Sequence, residues 1–532
     1  MRRSFVIAKL LVVTWAVCHC SVGRAADTPA LCALKINLTD ADTGKFRPGI
    51  LRIEDDEGKA VSLDATLFNR GKGMSKDAPI SRWSVFIKPV TVRVPQAKLV
   101  IEALAGIETE LTRIEIDLRG KTKARIDVPL RRFYDARARS LRSGNTHLHL
   151  MKLPRKIAER YLREIPVGDN NDVVFLSYIE RVPDDVDYIS NSFTRSDLEQ
   201  LSSTGVLFGT GEEHRHNFGV GSEGHGHVML LDLLKLIQPV SIGPGIMKRG
   251  TDGIPMQRGI DAARRDGATV IWCHNDWGME DIPNWVTRRL HAQNIFDGGA
   301  HGSYKDSFYR YLDAGLKVPF STGTDWFIYD FSRVYVPVAG KLTVATWLDS
   351  LAAGKSYITN GPFLEFRAGR AGLGDTVALE TAGSIPLVGK AIGRVDFKRI
   401  ELVQNGKVVH TVKSRPEGGH FVAEMDTSIE IDAPCWLTLR TPPPPVNMDP
   451  ELTEPVKLNE LGQPLFGHTS PIYVTVAGRE RFDRETAEGL LVEMEKNRTF
   501  IDERGEFAGD EERQRVLGVY DDAMKTLRER LK

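Results

Sequence analysis

The sequence predicts a multidomain chain, α/β in the middle and all-β on both sides, with a helical tail. Three observations point there. At 532 residues the chain exceeds what one hydrophobic core supports, so about two to four domains are expected. Its first hundred mature residues alternate apolar and polar positions between short turns, the period of strands. Its centre repeats a different unit, a helix of roughly three turns running through a glycine into a short apolar strand, as in parallel β/α architecture.

In chain order, residues 1–25 come first. "MRRSFVIAK" is a basic start, "LLVVTWAVC" a short apolar run, and "SVGRAAD" offers small residues for cleavage after Ala25 or Ala26. That pattern reads as a secretory signal, too short to span a membrane comfortably. Residues 27–135 form the N-terminal β-sandwich: "LKINLTDADTGKFRPGILRIEDDEGKAVSL" alternates between "DTG", "RPG" and "DEG" turns. Residues 140–362 carry the β/α units. "TRSDLEQLSS" precedes "GVLFGTGEE", "MQRGIDAARRDGA" precedes "TVIWCHND", and "KDSFYRYLDAGL" precedes "KVPFSTGTD". Residues 363–480 return to strands, with a hairpin turn at Asn405-Gly406 and a proline-rich loop, "TPPPPVNMDPELTEP". Residues 481–532 read as two amphipathic helices that pack on the outside.

Composition excludes several classes. Lysine plus arginine and aspartate plus glutamate both total 71, so no basic excess points to nucleic acid. Beyond the signal no segment is long and apolar enough to span a membrane, so no integral membrane segment is expected after its removal. Cys32, Cys273 and Cys435 are too few and too far apart for a disulfide framework. Cys273, inside an apolar strand, reads as a small buried hydrophobe.

The histidines are unevenly placed. Of 13, four (His214, His216, His225 and His227) fall within a stretch where chance gives about 0.3. Two more, in "GNTHLHL", share one face if the chain is extended there. Candidate ligands then fall at strand ends: His147 and His149 on the first strand, Glu213 after "GVLFGTG", His274 after "TVIWC", Asp325 after "KVPFSTGT". Active-site groups in β/α barrels come from the C-terminal ends of several strands. Taken singly, HxH is an ordinary strand pair, His214 and His216 are solvated loop residues, and Asp325 is a helix cap. Taken together, in these positions, imidazoles and carboxylates make a site for zinc, manganese or iron.

The same residues lie in motifs that resemble the CehA/McbA-type metallohydrolases of the PHP (polymerase and histidinol phosphatase) superfamily. The pieces run in order as "GNTHLHL", "GTGEEHRH" with "GHVMLL", "WCHNDWGMEDIP", "STGTDW" and "AAGKSYITNGPFL", then "VQNGKVV", "WLTLR" and "GHTSPIYV". The resemblance covers residues 120–480 and implies a distorted PHP-type β/α barrel. On matching positions it implies one ion held by His147, His149, Glu213 and Asp325. It implies a second held by Glu213, His227 and His274, with Glu213 bridging. His227 is chosen on the "GHVMLL" pattern, with His225 as fallback. Three departures bear on metal count: Asn145 where the family commonly has Asp, Tyr178-Ile179-Glu180 ending the second strand, and Trp326-Phe327 after Asp325. These remove groups associated with a third ion, so one or two divalent ions are expected, zinc first.

The expected function is a secreted, periplasmic or extracellular hydrolase. A metal-activated hydroxide would attack an ester, carbamate, amide or phosphoester of a small-molecule or glycan-type substrate. His214, His216 and Asp276 are the candidate general acids. Arg215 and Arg333 are candidates for phosphoester recognition, with a surface position the default for each. Trp277 and Trp326 are candidate pocket walls. The alternative is a non-catalytic extracellular carbohydrate- or polymer-binding protein with a structural metal site. The sequence leaves the oligomeric state open.

Overall fold

The computed structural model describes residues 30–532 apart from 181–187, 203–204, 217–223, 245–246, 248–249, 275–278, 300 and 446–454. The signal segment, Asp276 and Trp277 lie outside the described residues. The chain is multidomain and mixed α/β, with several sheets and a large β content.

The first region forms two sheets. Leu31–Asp40 lies between Val90–Pro95, antiparallel, and Lys123–Leu130, parallel. Five strands from Gly49 to Asp117 make the second sheet. Alternation does the work: Cys32, Leu34, Ile36 and Leu38 all point inward, against Ile53, Phe86 and Ile101 of the facing sheet. The other face of that second sheet is also used. Ile50 and Val85 share a core with Leu148 and Leu162 of the central region and with Phe363 near the C-terminal sheet.

One buried group at the edge of this packing carries a pH signature. Glu108 is 4% exposed, and burial pushes its carboxyl from 4.5 up to about 7, against the pull of Arg137. The folded state therefore holds the proton more tightly than the unfolded chain. The stability linked to it is full below about pH 4.5 and is lost as pH rises through about 7, a span of ~3 kcal/mol as an upper bound. Glu108→Gln is expected to be relatively more stable at about pH 8 than at about pH 5 when compared with wild type. Superimposable melting-temperature profiles of the two proteins would contradict this.

The strands of the central region belong to one closed circuit of pairings that also takes in strands of residues 363–480. Leu141–His149 pairs in parallel with Val173–Tyr178, and that with Leu207–His216. The next strand, His227–Leu231, runs antiparallel to Leu207–His216 and to Thr269–Trp272. Ala292–Asn294 and Phe320–Ser321 follow in parallel, and Asp325–Trp326 returns to Leu141–His149. The uniformly parallel reading of this region is thus corrected at this strand, and again at Arg333–Pro337, which runs antiparallel to both Leu141–His149 and Tyr357–Thr359. The consequence is local: an antiparallel strand begins at the rim where its parallel neighbours end. His227 opens its strand and so sits opposite Arg215, beside Glu213.

The expected helices are present. Arg195–Leu201 is capped by Thr194, whose hydroxyl accepts from the Asp197 N–H while the Asp197 carboxylate accepts from the Thr194 N–H. Met256–Arg265 packs Ile260 and Ala263 inward. Sheet continuity does not stop at 362. Tyr357–Thr359, from "KSYITN", pairs with Gly467–Thr469, from "GHTSP", so two motifs distant in sequence are one antiparallel pair. Arg399–Gln404 and Lys407–Lys413 form the expected hairpin, with Asn405 and Gly406 both at positive φ. Arg484–Arg504 and Asp510–Leu531 are the tail helices, and Tyr520, Met524 and Leu527 join the central core. Among the described residues no helix is long and apolar enough to cross a membrane. Cys32, Cys273 and Cys435 are all buried free thiols.

Candidate metal centre

Strand period places the first two imidazoles. His147 and His149 are two apart on one strand and both turn inward, fully buried. The His147 Nδ1–H donates to Asp297 Oδ2 at 2.9 Å, and the His149 Nδ1–H donates to the Ser177 carbonyl at 3.0 Å. A carboxylate and a carbonyl only accept, so each proton sits on Nδ1 and each Nε2 presents a lone pair. Those two Nε2 atoms face each other at 3.0 Å.

Glu213 and Asp325 aim at the same point. Glu213 Oε2 is 3.0 Å from His149 Nε2 and 3.8 Å from His147 Nε2. Asp325 Oδ1 is 3.3 Å from His147 Nε2 and 3.8 Å from His149 Nε2. Four acceptors converge with no proton between them in the neutral tautomers. That is repulsive unless a cation occupies the centre. The separations, 3.0 to 3.8 Å, bracket the ~3.3 Å edge of a tetrahedron with ~2.0–2.1 Å arms.

The other oxygen of Glu213 serves a second set. Oε1 lies 3.2 Å from His227 Nδ1 and 3.5 Å from His274 Nε2. His147, His149, Glu213 and Asp325 form one buried grouping able to hold a divalent ion, and Glu213, His227 and His274 another. The donors are nitrogen and oxygen, which suits zinc, manganese or iron. Cys273 adjoins His147 and His274, but burial pushes its thiol well up, which disfavours the thiolate.

Charge and backbone agree with a cation. Three buried carboxylates, Glu213, Asp325 and Asp297, surround the imidazoles, and one buried guanidinium, Arg215, joins them, its Nη1 3.4 Å from Glu213 Oε1. Formally that leaves two negative charges for an ion to neutralise. With no metal, burial disfavours charge on His147, yet Asp325, Asp297 and Glu213 outweigh it and hold its pKa well above the ordinary value. Burial opposes ionisation of Glu213 too, but Arg215 and the histidines hold it well below. His274 and Asp325 both adopt positive φ, 51° and 55°, costly for residues other than glycine and common where a site dictates the backbone.

Asp297 was not read from the sequence. It accepts from His147 and from Asn294 Nδ2 at 3.0 Å, and its carboxyl is held down to about 2: burial opposes this, but His274 and His147 prevail. It orients His147 from behind, as carboxylates commonly do for metal-bound imidazoles. Its signal was the strand-end rule itself, since it follows Ala292–Asn294, but a three-residue strand is hard to see. Asp297→Asn is expected to lower metal affinity ~10–100-fold while leaving the fold intact. Titration with a metal-competing dye checks this; unchanged affinity would contradict it.

Two general-acid candidates are corrected. His214 and His216 lie on the opposite face of Leu207–His216 from Glu213, because the strand continues through them and neighbours alternate. Neither is a solvated loop residue. The His214 Nδ1–H donates to Glu212 Oε1 at 2.8 Å, with Gly259 packed against its ring. His216 Nε2 lies 3.1 Å from Asp252 Oδ1, its ring 4.2 Å from that of His225. His225 thus belongs to that second group, away from the ligands. Arg215 and Arg333 are both buried, correcting the surface default, but only Arg215 reaches the centre. Arg333 donates to the carbonyls of Phe331 and Asp169. Trp326 lies beside the centre: its ring is 5.3 Å from that of His149 and stacks on Tyr188 at 5.7 Å. Asn145 bridges the first strand to Thr324 through a 2.8 Å hydrogen bond.

No protein-family model matches the chain, and no curated protein matches it. Among solved structures it is similar to the apo structure of Bacteroides uniformis beta-glucuronidase 3, at 10% identity and a TM-score of 0.15. That alignment covers 84% of this chain and 64% of that one, so this chain spans less than two thirds of its length. A likeness at this level carries no argument about fold or activity.

Proposed function

We propose that this chain is a metal-dependent hydrolase acting on an ester, carbamate, amide or phosphoester, and that its resemblance to the CehA/McbA-type PHP metallohydrolases reflects a shared chemistry. The observation that supports it most is the sharing of Glu213 between two buried nitrogen–oxygen ligand sets. Divalent ions bound there supply a Lewis acid and lower the pKa of water.

The chain's own groups do the rest. Asp297 and the Ser177 carbonyl fix the tautomers of His147 and His149, so both imidazoles meet an ion without rotating. Arg215 places a fixed positive charge beside Glu213, positioned to hold an anionic oxygen of the substrate. Trp326 and Tyr188 give one side of the site an aromatic wall against which an apolar or ring-bearing group packs. The basic, apolar, small-residue start supports export to the periplasm or beyond the cell.

The test is turnover by the mature protein reloaded separately with zinc, manganese or iron, on matched carboxyl esters, carbamates, amides and phosphoesters. Metal-dependent hydrolysis of one class, abolished in His149→Ala, is expected. Full metal loading with no turnover of any class would favour the non-catalytic binding protein instead.

A further inference from the structure

The second ligand set draws on three segments. Glu213 lies on Leu207–His216, His227 opens the reversed strand, and His274 follows Thr269–Trp272. The last sheet pair between the latter two strands is Val228 with Trp272, so His227 and His274 lie beyond it. One backbone bond follows, from the Cys273 N–H to the His227 carbonyl at 3.1 Å. Past that point the three segments are gathered by a residue outside both ligand sets.

That residue is Asp252, which is fully buried. Its Oδ1 lies 3.1 Å from Nε2 of His216, on the strand that carries Glu213. Its carbonyl accepts from the His225 Nε2–H at 3.2 Å, two residues before His227. The His225 carbonyl in turn accepts from the N–H groups of Met279 and Glu280, at 3.1 and 2.9 Å, in the segment that follows His274. Asp252 is itself fastened to the C-terminal tail. Its N–H donates to the Glu506 carbonyl at 2.7 Å, and its Oδ2 accepts from the Glu506 N–H at 2.8 Å. Glu506 lies in the link between the two tail helices. Beside it, Thr251 Oγ1 donates to Glu512 Oε2 at 2.7 Å. Gly253 lies so close to the same side chain that an added Cβ would meet Oε2 at 2.2 Å. A buried carboxylate is costly unless paired, and the partners of this one sit on separate segments. Moving any of them strands it.

We propose that Asp252 is a positioning residue for the second ligand set, and that the C-terminal tail holds that set in place through it. The proposal rests on the two-ion reading of the centre. Groups that fix metal ligands from behind are typically worth ~10–100-fold in affinity. Asp252 acts one step further out. It holds the chain that flanks Glu213 and His227 directly, and the chain after His274 through His225. The first set takes its support elsewhere, from Asp297, the Ser177 carbonyl and the pairing of Asp325 with Leu148. Loss of Asp252 therefore weakens one ion and spares the other.

The experiment is manganese titration of the full mature chain, read by calorimetry and electron paramagnetic resonance. Two manganese ions that share the Glu213 carboxylate couple magnetically, and their spectrum differs from that of an isolated ion. Wild type is expected to bind two ions and show the coupled spectrum. Asp252→Ala is expected to bind the second ion about tenfold more weakly and to show the isolated spectrum at concentrations that fill both sites in wild type. Its first ion is expected to bind as in wild type. Asp252→Asn keeps an acceptor for the Glu506 N–H and is expected to recover part of the loss. Glu512→Ala loosens the tail and leaves Asp252 in place. It is expected to weaken the second ion by a smaller factor, which keeps the test decisive should Asp252→Ala fold poorly. Equal weakening of both ions, together with a fall in melting temperature, would show a merely structural role and overturn the proposal. So would a coupled pair of unchanged affinity in both Asp252→Ala and Glu512→Ala. A wild type without a coupled pair would instead remove the two-ion reading, and this proposal with it.

Discussion

Glu213→Gln is expected to empty both metal sites at once. Oε2 faces the two imidazoles of the first strand, and Oε1 faces His227 and His274. An amide in its place carries no charge and turns a donor toward one set of lone pairs. Removing only an outer partner of a metal ligand costs ~10–100-fold in affinity. Removing a ligand shared by two sites is expected to cost more, at both. His227→Ala is the control, since it should empty the second site and leave the first. Metal analysis of the two variants reads the difference directly. Loss of a single ion in Glu213→Gln would show that the carboxylate does not bridge.

The second large effect is expected far from the ligands. Arg70, in the N-terminal region, and Asp169, in the central one, form an ion pair with neither side chain exposed. Arg70 also donates to the Ile328 carbonyl. Removing one partner of such a pair leaves an uncompensated buried charge and costs ~3–5 kcal/mol. Arg70→Met is therefore expected to lower stability by about that amount in denaturant unfolding. Arg70→Met with Asp169→Leu is expected to recover part of it, because no charge is then stranded. The position matters for the site. Phe327, between Trp326 and Ile328, has φ 59° and donates its N–H to the His149 carbonyl at 3.0 Å. Gly73, next to Arg70 in the fold, leaves room for the Phe327 ring, which an added Cβ would meet at 2.3 Å. The N-terminal sandwich thus braces the segment that carries Asp325, and Arg70→Met should lose metal before it unfolds. Equal stability of Arg70→Met and wild type would contradict the account.

The sequence made strand ends visible, and most candidate ligands were read by that one rule. His147 and His149 followed from period two, and Glu213, His274 and Asp325 from apolar runs that stop at a polar residue. The same rule, carried one step further, would have placed His214 and His216 correctly. "GEEHRH" is strand to its last residue, so its histidines alternate away from Glu213. Their clustering in sequence concealed that they divide between two faces. Asp297 was missed because its strand is only three residues long, with no apolar run to mark it. Arg215 was assigned to the surface because arginine usually is; its burial depends on Glu213 beside it, a contact composition does not encode. The reversed strand His227–Leu231 was also invisible, since an apolar run reads the same in both directions. At the fold level, the sandwich, the hairpin at Asn405-Gly406 and the tail helices were legible from local pattern. The pairing of "KSYITN" with "GHTSP" spans more than a hundred residues and had no local signal.

The most direct measurement is metal content of the mature chain by elemental analysis, after purification with zinc, manganese and iron each offered. The account predicts close to two ions per chain, bound at neutral pH and released as acid protonates the imidazoles. A chain that retains no divalent ion under any of these conditions would contradict it, and would require the four facing acceptors around His147 and His149 to be held together by protons alone.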